Sequence, residues 1–400
     1  MPPFMTRHAL LMKRPEISVK MIDVWDVNTE QIYVLNYTSL ETGTFLRRFL
    51  FSYRFTMKRA MVYHEDYNKY DLGTDHPLIG DKPKNTLRFL KEKGLLSEFQ
   101  QFTPKKASEE DLLRVHEKGY VDHVKQLSKT GGWLSADTPA PVGIFDVASL
   151  ATGGSMCAGE KLFEGFECAV NPLGGFHHAS RGHSSGFCFF NDIAVTIEYL
   201  REKQKLKRFL IIDLDVHHGN GTQDIYFDDQ TVLNLSFHQD GRTLYPGTGG
   251  LEMIGREEAA GYTINLPFPP GTGGASYLKA FEEIVPPITR QFKPEIIVYQ
   301  SGVDTHHADP LADLNLTYQT YYHLAQRMSE LSHETCKKLL VLLGGGYNSV
   351  ACIKSYYNII CGLLGTKEYL EESEIPDTNT AEVEQAVHEL KSVLSEYWNL

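Results

Sequence analysis

Short β-branched, apolar runs alternate with longer stretches of helical periodicity from about residue 60 onward, an alternation that predicts a parallel sheet flanked by helices. The candidate strands are residues 60–64, 167–172, 208–216, 231–237, 262–267, 295–302 and 338–346. Helical patterning occupies 145–163, 192–203, 275–292, 318–332 and 350–364 between and after them. The tail sets Val383, Val387, Leu390 and Leu394 along one helical face behind an Asn379-to-Glu382 capping pattern, so 376–400 is expected to be a helix docked on the core. No internal repeat or low-complexity segment interrupts the pattern. The expected architecture is α/β: a single domain over 59–375, with a central, mainly parallel sheet and helices on both faces.

The first 58 residues stand apart. They carry 8 Lys and Arg against 5 Asp and Glu, whereas the remainder carries 31 against 46. The tract TFLRRFLFSYRF (44–55) mixes aromatics with arginines, a composition that suits a nucleic-acid or membrane-surface arm. Met57 and Met61 lie at the start of the first convincing strand, and this favours an appended extension, or an upstream start codon assigned in error, over a functional arm. The whole chain has a formal charge of -12, which argues against a sequence-independent grip on a nucleic-acid backbone, so no direct nucleic-acid binding is expected. With 42% hydrophobic residues it can bury a large core. The six cysteines show no C-x-x-C spacing and read as small core residues in a reducing compartment. The N-terminus lacks an apolar signal-peptide core, and no apolar run approaches the roughly 18 residues of a membrane span. The expectation is a soluble, cytoplasmic protein.

One segment changes the picture from architecture to chemistry. Phe209 to Gln223 runs as an apolar strand into Asp213, Asp215, His217 and His218. In an extended chain, alternate residues share a face, so Asp213, Asp215 and His217 should project together. Burying uncompensated carboxylates costs several kcal/mol each, so a positive charge is required among them, and a divalent metal ion supplies it. Three further polar clusters follow the expected ends of strands, where open parallel sheets place their ligand sites: 174–189, 301–314 and 343–348. Gly344, Gly345 and Gly346 read as a tight turn or a close backbone approach, since no Lys-Ser/Thr follows as a phosphate loop requires. The two GTGG sequences, beginning at 247 and 271, also read as turns.

These clusters, in this order along the chain, closely resemble the zinc-dependent histone deacetylase and acetylpolyamine amidohydrolase family, with its arginase-like fold. The resemblance extends from VYHEDYNKYDLGTDHP (62–77) through GGGYN to about residue 365. It implies Asp215, His217 and Asp304 as zinc ligands, a three-ligand N/O set that leaves one position open. Taken alone, Asp304 would equally suit a helix N-cap, and His306 and His307 receive no role. His177 and His178 resemble the family's tandem histidines, facing Asp213 and Asn220 respectively. Asparagine at 220 departs from the class I pattern, which has aspartate there, and agrees with class II and bacterial relatives. A carboxylate raises a histidine's pKa and a neutral amide perturbs it little, so His177 is expected to stay cationic and His178 to be the general base.

By the same resemblance, Tyr347 is the transition-state hydrogen-bond donor. Phe187 and Tyr245 wall the acetyl-lysine tunnel, and Asp137 is a rim residue that grips the substrate backbone. Gly186, Leu311 and Gly345 complete the substrate-binding set. Asp213, Ser236 and the backbone of Phe237 match a potassium site. The implied activity is hydrolysis of N-acetyl-lysine amides on proteins or peptides, with zinc and Tyr347 polarising the carbonyl. An acetylpolyamine or other small acylamine hydrolase is the alternative, although Leu311 offers a cationic chain no acidic partner. A catalytically silent acyl-lysine binding module is the remote alternative, at odds with the intact residue set.

Overall fold

The computed structural model describes residues 17–25, 31–39, 45–53, 57–73, 76–78 and 80–400. It divides into two compact units, Met1–Met57 and Lys58–Leu400. In the first unit, strands β1 (Ile17–Trp25), β2 (Gln31–Ser39) and β3 (Phe45–Tyr53) form an antiparallel sheet in the order β1-β2-β3. Residues 1–16 lie outside the described residues, as do Thr44, Arg54 and Phe55 of the aromatic and arginine tract and Thr74 and Asp75 of the 62–77 motif.

The second unit is built on an eight-stranded sheet. Its strands are β4 (Arg59–Val62), β5 (Gln100–Phe102), β8 (Cys168–Asn171), β9 (Phe209–Asp213), β10 (Val232–Gln239), β11 (Thr263–Phe268), β12 (Ile296–Gln300) and β13 (Leu339–Leu342), while β6 (Gly132–Trp133) and β7 (Pro139–Ala140) make a separate hairpin. All pairings in the large sheet are parallel and its order is β11-β10-β9-β12-β13-β8-β4-β5. Every residue of β8, β9, β10, β12 and β13 is buried, which is why these strands read as continuous apolar runs rather than alternating ones. Each fully buried Val, Ile or Leu side chain in them is worth about 1.5–3 kcal/mol.

The strand order reverses between β9 and β12. From β9 the chain proceeds to β10 and β11 on one side, then returns to β12 and continues to β13 on the other. The crevice beyond the carboxyl ends of β9 and β12 is therefore the topological switch point, the place where such sheets bind ligands. β9 is shorter than its sequence suggests: the strand ends at Asp213, four residues before His217. The carboxylates themselves break the ladder, because Asp213 Oδ1 accepts the Asp215 N–H at 3.2 Å and Asp215 Oδ1 accepts the His217 N–H at 3.0 Å. Asp215 and His217 thus face the crevice from a loop folded by its own side chains and not from a strand face.

The C-terminal helix, Thr380–Leu394, buries Val383, Val387, Leu390 and Leu394 as the periodicity predicts. Its expected cap is absent: Asn379 makes no capping bond, and its Nδ2 donates instead to the Pro270 carbonyl at 2.6 Å. Among the described residues no helix is long and apolar enough to cross a membrane.

Candidate active site

Five of the loops that leave the sheet meet at the switch point. The loop after β8 carries His177 and His178 into it, shaped by the buried Asp192, whose carboxylate accepts the N–H groups of Gly175 at 3.0 Å and Phe176 at 2.7 Å. His177 Nδ1 lies 2.6 Å from Asp213 Oδ2, His178 Nδ1 lies 2.7 Å from Asn220 Oδ1, and the two Nε2 atoms approach to 3.1 Å. Both rings are buried, yet their electrostatics diverge. Burial lowers the His177 pKa, but the Asp213 and Asp215 charges overcome it and hold the ring at about 9. Burial together with the charges of His177 and His217 drives the His178 pKa well below its ordinary value. His178 is neutral, and with Nδ1–H donated to Asn220 its lone pair is on Nε2.

Beside the histidines, Asp215, His217 and Asp304 converge with their ligand atoms all within 4.8 Å of one another. His217 Nδ1 lies 3.2 Å from Asp215 Oδ1 and 3.2 Å from Asp304 Oδ2. The remaining oxygens are already committed: Asp215 Oδ2 accepts from Gln300 Nε2 at 3.0 Å and from the Gly345 N–H at 3.1 Å, and Asp304 Oδ1 accepts the Val216 N–H at 2.9 Å. One carboxylate oxygen of each aspartate and His217 Nδ1 thus face a common centre. Burial and the Asp215 charge raise the Asp304 pKa to about 7, while hydrogen bonds to the two carboxylates outweigh burial and hold His217 at about 10. Two buried carboxylates that keep a proton on the intervening imidazole are short of one positive charge, and a three-residue N/O set with that deficit fits a divalent cation. No helix follows Asp304, which removes the N-cap alternative.

A second group, His306, His307 and Glu372, also brings its ligand atoms within 4.8 Å. His306 Nδ1 accepts the Ala308 N–H at 3.1 Å, so its Nε2 carries the ring proton and donates to Glu372 Oε1 at 2.9 Å. That ring has no lone pair left for a cation, and the group acts as a clasp between the Asp304 loop and the C-terminal segment.

Tyr347 follows three glycines after β13. Its ring is 5.7 Å from Phe187 and 6.4 Å from His217, and burial, helped by the Asp304 and Asp215 charges, keeps its phenol protonated. A Cβ on Gly345 would lie 2.3 Å from both Asp215 Oδ2 and Asp304 Oδ2, so only glycine lets the loop pass these two carboxylates. Gly186, at φ +54, presses on the other side, where a Cβ would sit 2.1 Å from His178 Cδ2. Phe187 follows at φ +68, its N–H donated to Thr138 Oγ1 at 3.1 Å and its carbonyl accepting the Tyr70 hydroxyl at 2.8 Å. Tyr245 packs edge-on to His178 at 5.2 Å and is 42% exposed.

Asp137 turns inward: one oxygen accepts the Gly186 N–H at 2.9 Å and the other accepts the Thr138 hydroxyl at 2.9 Å. Ser236 is the direct neighbour of Asp213 across β9 and β10, and Phe237 is buried in the same strand. Leu311 is half-buried, with its N–H donated to Asp309 Oδ1 at 3.0 Å.

The sequence profile of the histone deacetylase domain matches residues 76–363. The chain belongs to the histone deacetylase family. It is 36% identical over 361 residues to a probable deacetylase of Archaeoglobus fulgidus, covering 86% of this chain and 99% of that protein. It is 35% identical over 300 residues to the acetoin utilization protein AcuC of Bacillus subtilis, covering 72% of this chain and 77% of that protein. Among solved structures, the crystal structure of the HDA15 HD domain superposes with a TM-score of 0.77 at 28% identity, covering 86% of this chain and 96% of that one. The fold is accordingly the arginase and deacetylase fold, and hydrolytic deacetylation is the class of chemistry that goes with the family.

Sequence reasoning missed the residues that hold this histone deacetylase site in shape. Asp192 fixes the histidine loop, Gln300 fixes Asp215, and the buried Lys82 donates to the Gly344 carbonyl at 2.7 Å. Asp309 accepts the Tyr347 N–H at 2.7 Å. Each bonds to a partner remote in sequence, which local pattern cannot reveal. The only local signal was a polar residue bordering an apolar run.

Proposed function

We propose that the chain is a zinc-dependent amidohydrolase that removes acetyl groups from lysine side chains of proteins or peptides. The observation that carries this reading is the meeting of a cationic His177 and Asp213 pair, a neutral His178, the Asp215, His217 and Asp304 set and a protonated Tyr347 in one crevice. Bound at Asp215, His217 and Asp304, zinc supplies Lewis acidity toward a carbonyl and toward water. His178 Nε2 accepts the proton of the attacking water, since its Nδ1 is committed to Asn220. His177 remains an imidazolium that stabilises developing negative charge. The Tyr347 phenol donates to the oxyanion, a contribution of about 3–4 kcal/mol for one preorganised donor. The proton held on His178 Nε2 then passes to the departing lysine amine, which completes the hydrolysis. Phe187 and Tyr245 flank the aliphatic lysine chain, with Gly186 allowing the Phe187 wall to approach the base.

A potassium ion beside Asp213, with Ser236 and the Phe237 backbone as further ligands, belongs to the same reading. Its support is the hydroxyl of Ser236. His238 Nε2 faces the Gly249 carbonyl at 3.0 Å and must carry the ring proton, so Ser236 Oγ, 2.9 Å from His238 Nδ1, donates there and keeps its lone pairs for a cation. A cytoplasmic location is supported by six free cysteines. The test is a side-by-side assay of the zinc-loaded chain on acetyl-lysine peptides, longer acyl-lysine peptides and acetylpolyamines. The expected result is the highest kcat/KM on acetyl-lysine peptides. A higher value on acetylpolyamines would overturn the substrate assignment in favour of the small-amine alternative.

A further inference from the structure

The Tyr347 side chain stands at the end of a backbone with little intrinsic preference. Gly344, Gly345 and Gly346 precede it, and Gly346 has φ +127, a conformation reserved for glycine. The first part of this loop is held from behind: the Tyr356 hydroxyl donates to the Gly344 and Gly345 carbonyls at 2.6 and 2.8 Å, and the Gly345 N–H donates to Asp215. None of these contacts fixes residue 347 itself. Its own N–H donates to Asp309 Oδ2 at 2.7 Å, and the next residue, Asn348, donates through Nδ2 to the Ala308 carbonyl at 2.9 Å.

Asp309 is 6% exposed, and its second oxygen accepts the Leu311 N–H at 3.0 Å. Two N–H groups on two oxygens require a group that accepts on both sides, which a carboxylate does and an amide does not. A transition-state donor misplaced by about 1 Å loses on the order of 10²-fold in rate, so whatever fixes the Tyr347 backbone fixes the contribution of the phenol.

We propose that Asp309 is a positioning residue for Tyr347, setting the phenol over the reacting carbonyl through the Tyr347 N–H and tying it to the Leu311 segment through the same carboxylate. This rests on Tyr347 being the oxyanion donor, and a double-mutant cycle in the zinc-loaded full chain separates the two claims. With an acetyl-lysine peptide, Asp309→Ala should lower kcat by roughly 10- to 100-fold with KM within about twofold. Zinc should remain at one per chain. In a Tyr347→Phe background the same change should lower kcat by less than about twofold, because the group it positions is already gone. If Asp309→Ala does not fold, Asp309→Asn carries the test, with kcat down by at least about fivefold in the parent and again by less than about twofold beside Phe.

Equal losses in both backgrounds, a change confined to KM, loss of zinc, or unchanged kcat in the folded Asp309 variants would overturn the positioning role while leaving the function of Tyr347 intact. Full turnover in Tyr347→Phe alone would instead remove the donor role, and the inference with it.

Discussion

Replacing Asn220 with aspartate tests the division of labour between the two histidines. The residue touches His178 Nδ1 at 2.7 Å, and the protein contains its own reference point in His177, equally buried, which meets a carboxylate at 2.6 Å. His177 sits at about 9, whereas burial and two neighbouring imidazolium charges hold His178 well below the ordinary histidine range. Two unit charges about 4 Å apart at an effective dielectric near 20 attract by about 4 kcal/mol, which is about three pKa units. Position 220 is partly exposed, and the new carboxylate must itself lose hydration, so the net rise in the His178 pKa should be on the order of one to two units.

A histidine acts as a general base only when neutral. Raising its pKa shrinks the neutral fraction at any given acidic pH, so the acidic limb of kcat/KM moves to higher pH by the same one to two units, about. The measurement is a pH profile of kcat/KM on an acetyl-lysine peptide, with zinc content determined at each pH. A limb that stays in place while zinc remains bound would mean that His178 is not the titrating base.

Three further outcomes follow from the geometry. Gly345→Ala should lose most of its zinc by metal analysis, because the new methyl carbon falls 2.3 Å from the Asp215 and Asp304 oxygens; full occupancy would show that the loop shifts freely. Zinc uptake by the metal-free chain near pH 8 should release about one proton, since His217 holds its proton up to about 10 and must surrender it to become a ligand. Calorimetry in buffers of different ionisation enthalpy reads that number, and affinity should rise with pH until His217 deprotonates unaided; proton-neutral binding would contradict the charge deficit. Removing residues 1–56 should leave kcat/KM on acetyl-lysine peptides within about twofold, whereas an inactive or insoluble product would make the first unit part of the working enzyme.

Legibility in the sequence followed the range of the interactions concerned. The seven strands with apolar runs were readable because burial on both faces leaves an unbroken signature, whereas β5, with Gln100 and Gln101 exposed at the sheet edge, carries none. The helices Lys82–Glu92 and Lys118–Thr130 also went unread, their few buried residues, such as Leu87, Leu90, Val121 and Val124, being diluted by lysines and other polar groups. Asp213, Asp215 and His217 were conspicuous as charge inside an apolar run. Their exact support was not, because side-chain bonds to neighbouring N–H groups ended the strand early. Asp309 carried no signal of its own within the 301–314 cluster, since its partner Tyr347 is 38 residues away. Asn379 misled in the opposite sense: a good capping sequence was spent on the Pro270 carbonyl.

Phe187 and Tyr245, the proposed walls of the substrate channel, differ in how much change they tolerate. Phe187 is locked on every side: by positive φ, by the Thr138 and Tyr70 hydrogen bonds, and by a preceding glycine wedged against the base. Any swap there that disturbs the backbone is transmitted to His178 and therefore to turnover. Tyr245 is 42% exposed, and its ring contacts, to His178 and His217, are edge-on. A drift toward bulkier acyl-lysine substrates, whether by natural variation or in a mutant library, therefore has one permissive route. It runs through position 245, and variation at 187 reads out as lost catalysis before it can read out as new selectivity.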